Sequence, residues 1–252
     1  MDYWLLAVYP LVTPPAILIY RPTQTTAIQA GKFLLDYSIY FQDHTIATRQ
    51  EIGFDEGNEI YNLEYSYQAE NWSRSISTNF GRPDDASLLA EKAISAKSGL
   101  SFYDHDKVNM SLYAKTQNGN HRQLTTPYIL LGFTPSIYFV GEMDFQFFQP
   151  TKEKATQKIF DYAKLDYEPI QGLRLYWRTQ SLINDFKRNY QPLPQDLKYG
   201  MITNRLYGLG PGIYWYPRPH FYIQLEVQQQ FSAELTSSQT SDFLTGNIYL
   251  QS

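Results

Sequence analysis

The chain has no cysteine. Disulfides, thiolate metal sites and covalent haem attachment through a Cys-x-x-Cys-His motif are therefore excluded. Charge is sparse at 18% of residues, and 21 Lys and Arg against 25 Asp and Glu leave a net charge of −4. That balance speaks against nucleic acid as a partner, which a basic stripe would announce. Long apolar runs are missing as well, each being broken well short of the roughly 20 residues a spanning helix needs. With a mean hydropathy of −0.43, nothing suggests a helical membrane protein. The opening MDYWLLAVYPLVTPPAILIY carries an acid, no basic residue and prolines within its apolar stretch, so it does not read as a signal peptide. Aromatics, by contrast, are abundant: 22 Tyr and 15 Phe, side chains suited to sitting half in lipid and half in water.

The aromatics fall into a recurring unit. GIYWYPRPHFYIQLEVQQQF (residues 212–231) is two alternating runs folded at Pro217-Arg218-Pro219. Residues 131–148 and 164–180 repeat the plan, and residues 5–22 are a looser copy with the turn at its prolines. Further strands are expected at 32–42, 59–69, 72–80, 107–116 and 242–251, for about 13 in all, each near the length that crosses a bilayer at a tilt. Long polar connections separate the short turns. A turn centred on Arg218 sets Tyr214 against Tyr222 and Gly212 against Gln224, so small residues oppose long polar ones. A turn centred on Ile170 sets Asp166 directly against Arg174.

On the other face of these hairpins Phe133, Phe139, Tyr167, Trp215 and Phe221 form an aromatic ring near the short turns. Phe147, Trp177 and Tyr61 supply a second ring nearer the loops. Short turns at one end, long loops at the other and aromatic girdles together resemble bacterial outer-membrane β-barrel proteins of the porin-like kind. The residues that carry the resemblance are the turns PSIY, EPIQG and PRPH and their flanking strands. The likeness is architectural and brings no catalytic motif. It implies an all-β fold, a transmembrane antiparallel up-and-down barrel of about 12–14 strands. Residues 1–252 then form a single outer-membrane domain, with an upstream strand, domain or signal peptide left open. A soluble β-sandwich that buries the same apolar rows, or a lipocalin-like barrel with a greasy outer face, is the competing reading. The chain departs from the pattern at its end, where Tyr249-Leu250-Gln251-Ser252 replaces a terminal aromatic.

The inward rows carry Asp36, Glu64, Lys115, Glu142, Asp144, Lys164, Asp166, Arg174, Arg178 and Glu226 as candidate pore-lining residues. Acids on one strand and bases on the next create a transverse field if they line water, or a set of mutually satisfied ion pairs if they fill the lumen. The leading function is a channel for small hydrophilic solutes in the bacterial outer membrane. A non-conducting barrel is the second reading, a scaffold or subunit of an envelope complex that could sheathe a partner such as a multihaem cytochrome. A lipid-modifying enzyme is the third and rests on His105 between Asp104 and Asp106. No enzyme activity, cofactor or metal is expected; the expected partners are the lipid bilayer and, on the second reading, an envelope protein.

Overall fold

The computed structural model describes residues 4–7, 17–38, 60–81, 92–102, 106–152, 154–184, 205–218, 221–233 and 238–250. They form fourteen strands, the first five being β1 (Trp4–Ala7), β2 (Ile17–Tyr20), β3 (Thr26–Phe33), β4 (Ile60–Gln68) and β5 (Trp72–Asn79). Next come β6 (Lys92–Phe102), β7 (Asp106–Gln117), β8 (Asn120–Thr134), β9 (Ile137–Gln149) and β10 (Thr156–Ile170). The chain closes with β11 (Leu173–Asn184), β12 (Arg205–Arg218), β13 (Phe221–Ala233) and β14 (Ser238–Leu250). Their order in the sheet is their order in sequence, an up-and-down meander with β1 and β14 at its two ends. Contacts gather into two compact units, Met1–Tyr128 with Phe145–Thr156 and Ile129–Asp144 with Gln157–Ser252.

Alternate connections differ in length, as an up-and-down outer-membrane fold requires. Pro135-Ser136 and Gln171-Gly172 are two-residue turns, and residues 69–71 join β4 to β5. The opposite connections include residues 34–59 and 185–204. One of them is nevertheless tight: Asn118 and Gly119 take φ of 51° and 80°, the left-handed pair that suits a two-residue hairpin. Two expectations are corrected. β6 was not anticipated, because Ala93, Ser95, Lys97 and Gly99 alternate only faintly with Ile94, Ala96, Ser98 and Leu100. β3 ends at Phe33 where a strand was expected over 32–42; past it the chain leaves the ladder, and Ser38 has a φ of 58°. Finally, β1 pairs with β2 as the hairpin over 5–22 expects, but its proline turn falls outside the described residues, and the short connection of this region is residues 21–25 between β2 and β3.

Which side chains are buried defines the sheet. Asn62 and Glu64 are buried on β4 while Tyr61, Leu63 and Tyr65 stand exposed. The same inversion holds for Ser75 and Ser77 against Ile76, and for Asn109 and Ser111 against Met110 and Leu112. In the second unit Asp166, Arg178, Gln224 and Glu226 are buried, whereas Leu165, Trp177, Ile213, Trp215 and Leu225 are exposed. A fold in water hides its apolar rows; here the polar row is hidden and the apolar row faces out.

Candidate functional site

In the second unit the site is built on a strand of glycines. Gly208, Gly210 and Gly212 of β12 pair with Gln180, Arg178 and Tyr176 of β11, so the long side chains lie beside positions with no side chain. A Cβ on Gly212 would collide with the ring of Tyr176. The bare strand lets β11 reach β13. Arg178 Nη2 stands 2.5 Å from Glu226 Oε1, and Tyr176 Oη donates to Glu226 Oε2 at 2.8 Å. Gln224 Nε2 donates to Tyr176 Oη at 3.2 Å. Arg178 and Glu226 are only 3% and 2% exposed, so the pair is shut away from bulk water.

Nearer the short turns the polar face becomes aromatic and cationic. Tyr176 and Tyr214 stack with ring centres 4.9 Å apart, and Lys164 Nζ lies 4.7 Å from the first ring and 4.9 Å from the second. Lys164 also pairs with Asp166 at 3.1 Å. Arg174 Nε donates to Glu168 Oε2 at 3.1 Å, and the other oxygen of Glu168 accepts the Gly172 N–H at 2.9 Å. Gly172 has a φ of 84°, which a glycine adopts without strain, and this turns its N–H toward the carboxylate.

The register corrects the expected partners. Asp166 stands against Tyr176, not Arg174, and Lys164 stands against Arg178. On the next hairpin Tyr214 opposes Gln224 and Gly212 opposes Glu226. Both hairpins are displaced by two residues, with a bulge between Tyr167 and Ile170 in one and between Trp215 and Arg218 in the other. A shift of two keeps every side chain on its face, which is why the inward and outward rows survive while the pairings change.

In the first unit the polar face is crossed by residues 34–38. Asp36 accepts Lys97 Nζ at 2.7 Å on β6 and Ser75 Oγ at 2.8 Å on β5. The backbone N–H of Ser38 donates to Ser111 Oγ on β7 at 2.9 Å, and Tyr37 shares a hydrogen bond with Thr126 on β8. This short segment is therefore tied across four strands. Asp36 lies on the polar face as expected, but on the crossing segment and not on a strand. Glu64 accepts Ser77 Oγ at 2.8 Å, and Lys115 is half-buried on the same face.

The remaining expected positions are also located. Glu142 and Asp144 are buried on β9. Phe133, Tyr167 and Trp215 are exposed on the apolar face and Phe139 is half-buried there; of Phe221 only the backbone is described. His105 and Asp104 lie outside the described residues. Among the described residues no three Asp, Glu or His side chains gather as a metal would require. Lys97, Glu168 and Tyr176 went unrecognised in the sequence. Lys97 sits on the strand with the faintest alternation, while Glu168 could have been found as an acid four residues before a turn glycine.

If Tyr176 occupies the space over Gly212, Gly212→Ala is expected to cost about 1–3 kcal/mol from overpacking. A double-mutant cycle with Tyr176→Ala checks this, because the alanine penalty should vanish once the ring is gone. An equal penalty in both backgrounds would place the ring elsewhere.

No known sequence family and no curated protein matches the chain. Among solved structures it is similar to a loop-deletion mutant of OmpT, an outer membrane protein of Vibrio cholerae. The TM-score there is 0.68 at 10% identity, over 93% of this chain and 78% of that one. It is also similar to the outer membrane channel DcaP of Acinetobacter baumannii, with a TM-score of 0.53 at 10% identity over 99% and 80% of the two chains. OccK11 of Pseudomonas aeruginosa gives a TM-score of 0.51 at 9% identity over 98% and 75%. The fold is thus all-β, antiparallel and up-and-down, and it resembles porin-like outer-membrane β-barrels.

Proposed function

We propose that the chain spans the bacterial outer membrane and passes small hydrophilic solutes along its polar face. The observation that carries this is the inversion of burial: polar rows hidden and large apolar rows exposed, on strands of both units. Lipid is the medium that makes an outward row such as Tyr61, Leu63 and Tyr65 favourable. On this reading Phe133, Phe139, Tyr167, Trp215 and Phe221 anchor the short-turn boundary. The charged inner groups then set the field that a solute meets. The fold likeness to the outer membrane channel DcaP is consistent with this reading.

A second reading has its own observation. Asp144 and Asp166 are 0% exposed, and the Arg178–Glu226 pair is nearly so. Charges packed this tightly suit a filled interior, and hence a scaffold or a subunit that sheathes an envelope partner. Planar-bilayer recording of the purified protein, taken from outer-membrane fractions, separates the two. Discrete conductance steps are expected, with an ion selectivity that weakens at 1 M salt, where the Debye length is about 3 Å. Folded protein that inserts without conducting would replace the channel with the scaffold.

A further inference from the structure

The end of the polar face nearest the short turns holds a guanidinium built to be used. Arg174 is flanked by two rings, its Cζ lying 5.8 Å from the centre of Tyr138 and 5.7 Å from that of Tyr216. Its Nε is taken by Glu168, and Glu168 is itself fixed by the Gly172 N–H of the turn. Three elements therefore hold the group: β9 and β12 through the rings, and the β10–β11 turn through the carboxylate. Yet the side chain remains 40% exposed, in contrast to the buried Arg178 one turn of pleat further in. The charged groups around it are Glu168, then Asp166 and Lys164, which pair with each other at 3.1 Å.

A guanidinium has five N–H donors in one plane. Here the Nε–H is spent on Glu168, which leaves the four N–H groups of the two terminal nitrogens. We infer that Arg174 is an oxyanion-binding residue, taking the carboxylate or phosphate group of a small solute edge-on between Tyr138 and Tyr216. This deepens the channel reading and rests on it, since it names the solute class that the path would select. The geometry requires arginine. A two-pronged fork matches two oxygens of one group, which an ammonium cannot do, and the rings and Glu168 remove the rotamer freedom that binding would otherwise have to freeze out. Because Glu168 offsets part of the charge, binding is weak, with Kd on the order of millimolar, which suits a solute that must also leave.

Calorimetric titration of the folded protein in detergent with sodium benzoate, and separately with inorganic phosphate, tests the site without relying on transport. The wild type is expected to bind at least one of them, and the tighter of the two identifies the oxyanion. Arg174→Gln and Arg174→Lys should each weaken that binding about tenfold or more, with the heat-modified gel shift confirming that both fold. Arg74→Gln, which removes an exposed arginine stacked 5.1 Å from Trp72 in the other unit, should bind as the wild type does. No binding by the wild type up to roughly 50 mM, or unchanged binding in either Arg174 variant, overturns the assignment. Bilayer recordings of the same samples keep the two claims apart: conduction without oxyanion binding removes the site and leaves the channel, while binding without conduction does the reverse.

Discussion

Arg178→Gln is expected to destabilise the folded protein by about 3–5 kcal/mol. The loss does not measure how much the ion pair contributes; it measures what Glu226 suffers when left behind. Its carboxylate is 2% exposed, is reached by Arg178 from two strands away and also accepts from the hydroxyl of Tyr176. A glutamine at 178 is shorter and uncharged, so the buried carboxylate loses the charge that Arg178 supplies. Removing both charges tests the account. Arg178→Met together with Glu226→Leu should recover most of the loss, because apolar groups of similar size replace a desolvated pair at little net cost. Urea unfolding in detergent, followed by tryptophan fluorescence, measures both variants. Wild-type stability in Arg178→Gln would show that water reaches Glu226 and that this part of the polar face is open.

The faces of the sheet were legible in the sequence because side chains alternate with period two, and alternation depends on neither turn nor register. Leu225 against Gln224, or Trp177 against Arg178, can be sorted by parity alone. The fold follows from those rows together with the unequal connections. Less readable were features set by one or two residues of backbone. Asn118-Gly119 is among the strongest hairpin signals a sequence can hold, but the alternating rows on which the strand bounds 107–116 and 131–148 rest do not extend to it. β6 failed for a different reason: serine, alanine and glycine serve either face, so its pattern carries little contrast.

The site was legible as a set of residues and illegible as a set of pairs. Alternation sets Asp166 and Arg174 on one face of adjacent strands, and a symmetric turn at Ile170 would match them to each other. The turn at Gln171-Gly172 and the one-residue bulge beside it set Asp166 opposite Tyr176, while Arg174 pairs with Glu168. Alternation alone reports neither the turn position nor the bulge, and a net displacement of two from the symmetric pairing leaves both residues on their face. The reach of Arg178 over β12 was equally hidden. It depends on Gly208, Gly210 and Gly212 being read as a bed for the neighbouring strands and not as weak points in their own.

Outward substitutions provide the sharper test of what surrounds the sheet. Leu225→Arg and Leu165→Arg are each expected to cost about 2–4 kcal/mol if their row meets the middle of a bilayer. Both side chains are exposed, Leu225 at 51% and Leu165 at 47%. In water an arginine there would be free of cost, since surface changes away from special features stay within about 0.5 kcal/mol. The two surroundings thus predict opposite results for one change. The inward control needs care. Gln224 is adjacent to Leu225 but is buried against Tyr176, so a larger residue there would be penalised for crowding alone. Arg174→Gln is the better comparison, because its side chain is 40% exposed and its loss leaves Glu168 anchored on the Gly172 N–H. Folding into vesicles of stated lipid composition, titrated with urea, measures all three. Arginine tolerated at 225 and 165 as well as glutamine is at 174 would mean that the exposed apolar rows face water or a protein partner, and the bilayer reading would fall with them.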